Sequence, residues 1–155
     1  MDFEFSAEER AFIREVDAFL KENESPDVMD VSRENMAQVC DTPERRAFMK
    51  KIAERGWLGI TWTREHGGQD GSGIYEYLLN EMLSAVGAPG IGKGVGIVGK
   101  TLINKGSAKL KQEFLPKILS AEVEFAVGYS EPGAGSDSAA MRLRAERKGD
   151  GWVLN

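Results

Sequence analysis

Apolar residues recur at helical spacing up to about residue 122 and then change to strict alternation, so the chain reads as helices first and strands afterwards. Phe12, Ile13, Val16, Phe19 and Leu20 predict an amphipathic helix over residues 7–22. Ser6-Ala7-Glu8-Glu9 in front of it is a capping box, the Ser6 hydroxyl accepting from the Glu9 amide while the Glu9 carboxylate reaches back. Ser25-Pro26-Asp27 ends this helix. Thr42-Pro43 offers a second cap with proline at the first helical position, Phe48 and Ile52 share a face, and Gly56 closes the helix. The apolar run Trp57-Leu58-Gly59-Ile60 then leads into a polar, turn-rich segment from Thr63 to Gly73.

From Ile74, the positions Tyr75, Leu78, Leu79, Met82, Leu83 and Val86 keep to one helical face until Gly87. A glycine-rich stretch, 90–99, runs into Leu102-Ile103 and stops at Gly106. Ser107 caps a short helix bearing Leu110, Phe114 and Leu115, and Pro116 is expected to interrupt or restart the turn before Ile118-Leu119. Beyond that, Phe125-Ala126-Val127 is strand-like and Ser130-Glu131-Pro132-Gly133 is a turn. Ala139, Met141, Leu143 and Ala145 alternate with Arg142 and Arg144, which predicts a half-buried strand over 139–147. Gly149-Asp150-Gly151 signals a hairpin, with Trp152-Val153-Leu154 beginning the returning strand. A helical domain over 1–122 followed by a β segment over 123–155 is the expected organisation. A sheet that starts so late and stops in mid-hairpin has an unpaired edge, so the chain is expected to be a piece of a longer protein.

Composition narrows the function classes. With 155 residues, 41% apolar and 29% charged, the chain supports one globular core and is not of disordered type. No run of about eighteen apolar residues occurs, so no membrane-spanning helix is expected. The start, Met1-Asp2-Phe3-Glu4-Phe5, lacks the basic and apolar regions of a secretory signal. One cysteine, Cys40, excludes an internal disulfide and fits a reducing cytoplasm. One histidine and one cysteine make no usual zinc ligand set. A net charge of −5 argues against general nucleic-acid binding. The charge is uneven: residues 1–40 hold eleven acids against four bases, whereas Lys100, Lys105, Lys109, Lys111 and Lys117 face only Glu113. Arg142, Arg144, Arg147 and Lys148 form a second basic cluster. These charges read mainly as solvated faces, the alternative being a basic wall towards a phosphorylated ligand.

Two segments carry phosphate-binding signals. Gly94-Val95-Gly96-Ile97-Val98-Gly99-Lys100-Thr101 fits the phosphate-binding loop of nucleotide hydrolases, in which amides wrap phosphates and the lysine and threonine reach phosphate and magnesium. That mechanism needs a buried strand directly before the loop, and a helical run precedes it here, so close helix packing is the competing reading. The second segment is Val127-Gly128-Tyr129-Ser130-Glu131-Pro132-Gly133-Ala134-Gly135-Ser136-Asp137, a strand end and tight turn with small residues at 133–136. Free amides there form an anion-binding nest to which Ser130 and Ser136 add hydroxyls, with Asp137 accepting amides to hold the loop closed. A plain turn satisfying only local backbone is equally compatible with this pattern.

That second segment closely resembles the hallmark of the acyl-CoA dehydrogenase family, a strand leading into Thr or Ser-Glu-Pro-x-Ala-Gly-Ser-Asp. Other features follow in family order: Gly56-Trp57-Leu58-Gly59-Ile60 with Glu65-His66-Gly67-Gly68, then Gly106, Lys111-Gln112, Phe114-Leu115-Pro116 and Glu122, then Ala145 to Leu154. The resemblance covers nearly the whole chain. It implies a mainly α fold: an amino-terminal helical bundle domain, followed by the first hairpin of a β-barrel-like middle domain, incomplete over 123–155. Gly128-Tyr129-Ser130 further resembles a bacterial subset that handles varied, sometimes bulky, acyl-CoA substrates.

Family membership would bring an FAD cofactor and α,β-dehydrogenation of an acyl-CoA thioester. Val127, Tyr129 and Ser130 would lie beside the flavin, Gly135 and Ser136 where flavin and acyl-CoA meet, with Ser136 touching substrate. Glu131 would be structural, helping to hold the loop, and His66 a loop residue. The resemblance places the catalytic carboxylate in a later helical bundle, so no catalytic residue is expected in this chain. The implied partners are the acyl-CoA, an electron-accepting flavoprotein and further subunits in a homo- or hetero-oligomer, in cytoplasmic lipid metabolism. Related-fold flavin monooxygenases, nitroalkane oxidases and acyl-CoA oxidases are the alternatives that keep the fold. A non-catalytic subunit of a hetero-oligomer is the alternative that keeps it without the chemistry.

Overall fold

A computed structural model describes residues 4–32 and 40–155, so Met1, Asp2 and Phe3 lie outside the described residues. The protein is mostly helical with a small two-stranded antiparallel sheet at its end, and it divides into two compact units, Met1–Phe125 and Ala126–Asn155. No helix among the described residues is long and apolar enough to cross a membrane.

In the first unit, each of four α-helices begins at a hydroxyl cap, three of which the sequence made visible. The helix α1 (Ala7–Glu22) starts at the capping box, with Glu9 N–H on Ser6 Oγ at 3.1 Å and Ser6 N–H on Glu9 Oε2 at 2.7 Å. Thr42 caps α2 (Pro43–Glu54), Ser72 caps α3 (Gly73–Ala85) and Ser107 caps α5 (Ala108–Leu119). Between α3 and α5, residues Gly94–Gly99 form a π-helical segment that continues directly into α4 (Lys100–Lys105).

Val16, Phe19 and Leu20 of α1, Phe48, Met49 and Ile52 of α2, and Leu79 and Leu83 of α3 bury a common core with Trp57, Leu58, Ile60 and Trp62. Its aromatic side is built of edge contacts: Phe12 meets Trp57 at 5.8 Å and Tyr75 at 5.2 Å, and Phe19 meets Trp57 at 5.1 Å. Arg55 lies over the rings of Phe19 and Trp57.

The turn-rich segment after α2 is a folded platform. Gly56 (φ +73°) and Gly67 (φ +85°) take left-handed conformations that side chains resist. Amides of Gln69, Asp70 and Gly71 donate back to the carbonyls of Gly59, Trp62 and Ile60 at 3.0, 2.9 and 2.7 Å. This returns Gly68 directly onto the backbone and Cβ of Trp62, leaving no room for a side chain. The Trp62 indole is buried beneath Gly99, where a Cβ would collide with the ring, and its Nε1–H donates to the Val95 carbonyl at 3.3 Å.

Arg45 is buried at 4% exposure, which helix periodicity alone does not foretell. Its Nη1 donates to the Val28 carbonyl at 2.6 Å and approaches the Gly87 carbonyl at 3.4 Å, tying the segment after α1 to the end of α3. The Asp30 amide also donates to the Gly87 carbonyl, at 3.2 Å.

Three expectations are corrected. Pro116 does not interrupt its helix, for α5 runs through it to Leu119. Residues 139–147 do not form a half-buried strand: Ser138–Ala140 is a 3₁₀ turn, and the strand is Ala145–Lys148 (β1), pairing with Gly151–Leu154 (β2) and extended by the Arg144–Asn155 hydrogen bonds. Both strands are exposed on both faces, so alternation found no core here to sort against. Phe125-Ala126-Val127 is not a strand, and no described segment pairs with it. The hairpin loop itself is as expected, with Gly149 at φ +63° between Lys148 and Gly151.

Two measurements check the core. Gly68→Ala should destabilise the protein by about 3 kcal/mol in urea unfolding, since rigid backbone opposes its methyl, whereas Gly73→Ala, facing open space, should be neutral or mildly stabilising. Burial, reinforced by the Glu124 carboxylate, pushes the Cys40 thiol from 9.0 up to about 11. The fold therefore favours the neutral thiol, a contribution fully present below pH 9 and lost as pH rises towards 11. Iodoacetamide at pH 8 should label native protein about a hundredfold more slowly than urea-unfolded protein.

Candidate functional site

Residues 121–125 are fastened closely to the helical unit. Ala121 takes a left-handed turn at φ +55°, and the amides of Glu122 and Val123 both donate to the Lys117 carbonyl, at 2.9 and 3.3 Å. Glu124 Oε1 accepts from the Cys40 amide at 3.0 Å. The Phe125 ring meets Phe114 edge-on at 6.0 Å and packs on Gly94, where a Cβ would stand 3.1 Å from it. Phe125, Gly94, Ile118, Leu58, Met49 and Cys40 line a cavity of about 100 Å³ within this unit.

The next five residues, 126–130, differ in kind. None of their backbone or side-chain groups makes a hydrogen bond among the described residues. Val127 is half-buried, Tyr129 is 67% exposed, and Ser130 is exposed. Unpaired backbone amides and carbonyls are satisfied by water or by a ligand that meets them.

Beyond the strip, the chain tightens again. Glu131 and Ala134 exchange two backbone hydrogen bonds, at 2.9 and 3.1 Å, and Ala134 is buried. The Glu131 carboxylate accepts from the amides of Arg142 at 2.8 Å and Leu143 at 2.7 Å, closing the loop from 131 to 143. Glu131 thus does the work expected of Asp137, whose side chain caps no amide and whose carbonyl accepts from Ala140. Gly135 and Ser136 are exposed, with no hydrogen bond from their amides or from the Ser136 hydroxyl among the described residues. A β-carbon at Gly135 would meet nothing within 4 Å. The structure therefore keeps the strip and the glycine-serine turn free in hydrogen-bonding terms.

The nucleotide-hydrolase reading of 94–101 fails on geometry. These residues are π-helix running into α4, with no preceding strand and no exposed amide cradle. Lys100 pairs with Glu76 at 3.2 Å, and Glu76 also accepts from the Thr61 hydroxyl at 2.5 Å. The glycines serve packing: Gly99 admits Trp62, and Gly94 admits Phe125. His66 sits in the turn with its Nδ1 2.7 Å from Thr63 Oγ1. Arg45, the buried tie between two connections, is the residue that sequence reasoning missed; a charged side chain on a helix reads as a solvent-facing position.

Comparison with known proteins places the helical unit. The profile of the acyl-CoA dehydrogenase N-terminal domain matches residues 6–122. The mitochondrial isovaleryl-CoA dehydrogenase of Pongo abelii is 35% identical over 154 residues, covering 97% of this chain and 35% of that protein. Acyl-CoA dehydrogenase FadE29 of Mycobacterium tuberculosis is 32% identical over 155 residues, 39% of its length. Among solved structures, the Tcur3481–Tcur3483 steroid ACAD superposes with a TM-score of 0.83 at 35% identity, covering 99% of this chain and 39% of that one. The ChsE4–ChsE5 complex from Mycobacterium tuberculosis gives 0.83 at 28% identity, covering 100% and 38%. The chain thus spans little more than a third of the length of these relatives.

If the Glu131 carboxylate holds the loop, Glu131→Ala should accelerate amide hydrogen exchange at Arg142 and Leu143 by about tenfold, the loss of roughly one charge-assisted hydrogen bond each. Glu131→Gln, which retains one acceptor oxygen, should fall between.

Proposed function

Given that the chain belongs to the acyl-CoA dehydrogenase family through that family's N-terminal domain, we propose that it supplies the flavin-facing strip of an FAD-dependent acyl-CoA dehydrogenase. The observation that carries this reading is the strip 126–130, which forms no hydrogen bond among the described residues and leads into a loop closed by the Glu131 carboxylate. Such a strip offers unpaired backbone donors and acceptors, which fits a planar heterocycle carrying carbonyl and N–H groups. The free amides and hydroxyls are donors suited to a ring whose nitrogens and carbonyl oxygens gain negative charge on reduction.

In this reading the backbones of Val127 and Tyr129 hold the ring edge, and the Ser130 hydroxyl donates to it. Gly135, with no side chain, lets the acyl thioester approach where it meets the flavin, and the Ser136 hydroxyl binds substrate. When bound, FAD supplies the redox chemistry by accepting a hydride from the acyl β-carbon. The chain's own part is to orient the ring, position the thioester and keep water from the reacting face. The carboxylate that takes the α-proton is assigned to no residue of this chain. An electron-accepting flavoprotein would reoxidise the cofactor. Assembly into a homo- or hetero-oligomer accords with solved relatives such as the ChsE4–ChsE5 complex. Similarity to a steroid ACAD favours a bulky acyl group over a short straight one.

The test is the visible spectrum of the purified native protein, before and after anaerobic addition of a panel of acyl-CoAs. Bound FAD that bleaches with particular thioesters is the expected result, and Ser130→Ala should weaken FAD retention by about tenfold, the worth of one hydrogen bond. A colourless protein that takes up no FAD would sink this reading in favour of a non-catalytic subunit.

A further inference from the structure

Gly90, Gly92 and Gly94 give the helical unit one wall without side chains. Packing demands glycine at 94, where a Cβ would stand 3.1 Å from Phe125 Cδ2, whereas at Gly92 a Cβ would meet nothing within 4 Å. The space beside this wall is the cavity of about 100 Å³. Met49, Leu58, Val95, Ile118, Val123 and Phe125 give it apolar walls. Arg46, Glu122 and Glu124 also border it and are exposed, so they mark its open side.

Side chains around a void close on it as far as their own fastenings allow. Here the walls are tied to other parts of the unit. Asn80 Oδ1 accepts from the Ile91 amide at 3.1 Å and pins the glycine wall to α3. The Val95 carbonyl accepts from the Trp62 indole, and the Lys117 carbonyl accepts from the amides of Glu122 and Val123. Glu124 Oε1, on the Cys40 amide at 3.0 Å, joins the two ends of the open side. The cavity is therefore a preformed space and not slack that one rotamer change removes.

We infer that this cavity is a binding site for a small uncharged apolar molecule, no larger than a benzene ring. The inference goes beyond the flavin reading and does not depend on it. Ligand sites of this kind pair apolar walls with a few polar groups at the entrance. The polar groups beside the cavity are already used: the amides of Cys40, Ile91, Glu122 and Val123 all have acceptors, and Asn80 Nδ2 donates to the Glu76 carbonyl at 3.0 Å. No free donor is left there for a carboxylate or phosphate, and two carboxylates face one guanidinium on the open side. The thiol of Cys40, kept neutral by burial, adds polarisable apolar surface to the wall. Apolar cavities of about 150 Å³ stay dry and take up benzene or xenon, so the space is of the right order for such a ligand.

The experiment titrates benzene into the full chain and follows its methyl resonances. Shifts confined to Met49, Leu58, Val95, Ile118 and Val123 are expected, with Leu20 and Leu79 elsewhere in the core unmoved. At about ten times the Kd so measured, iodoacetamide labelling of Cys40 should slow about elevenfold, because opening the cavity must first release the ligand. Val123→Phe, which fills the cavity from its own wall, should abolish both effects. Should that variant not fold, Cys40→Leu fills the space with less added volume and is read by the methyl shifts alone. Absence of shifts up to the solubility of benzene would overturn the inference, as would shifts spread over the whole core or persisting in a folded filling variant.

Discussion

Trp62 is closed in by two glycines drawn from opposite sides of the helical unit, Gly68 against its backbone and Gly99 against its indole. Much of the first unit follows from this contact. The platform 56–71 must fold back on itself to bring Gly68 down, which uses the amides of residues 68–71 and both left-handed glycines. On the other side the chain must pass directly over the ring, and the π-helical turn from Gly94 to Gly99 does so while leaving the Val95 carbonyl to accept from the indole N–H. π-Turns often mark function, but here the immediate cause is packing. The same wide turn sets Gly94 against Phe125, so one short segment seats both the tryptophan and the phenylalanine ring.

A second constraint is electrostatic. Arg45 puts a guanidinium into the interior and repays its desolvation only partly, through the carbonyls of Val28 and Gly87 and an Asp41 carboxylate 3.9 Å from Nε. Its value is connectivity, because it clasps two loops that share no regular structure. Gly87, at φ +68° and hard against the Asp30 backbone, completes the clasp where no side chain would fit.

The parts legible in the sequence were those governed by local chemistry. Ser6, Thr42 and Ser107 cap helices because a hydroxyl before an apolar period has one good use. Gly149 turns the hairpin for a similarly local reason. Misreadings arose where an outcome depends on partners distant in sequence. Alternation over 139–147 signals a strand only when a core lies on one side, and here both faces meet solvent. Pro116 stays within a helix because the surrounding residues Leu115 and Ile118 are buried on either side of it, and packing outweighs one missing donor. The glycine-rich 94–101 imitates a phosphate loop since glycine serves backbone approach to a phosphate and backbone approach to a tryptophan alike. Of the candidate site, the turn and its free serines were legible. That Glu131 holds the loop came only from the family resemblance, and turn chemistry by itself pointed to Asp137, since the closure spans eleven and twelve residues to the amides it binds.

The three tryptophans are distributed in a way that has an optical consequence. Trp57 and Trp62 are buried at 4% and 2% exposure in the helical unit, whereas Trp152, in the hairpin, is 67% exposed. Each compact unit therefore carries its own intrinsic fluorophore in a different solvent environment. Blue-shifted emission shielded from quenchers reports on the first unit, and red-edge emission open to acrylamide reports on the second. The protein's two parts can thus be followed separately through unfolding or assembly without any added label.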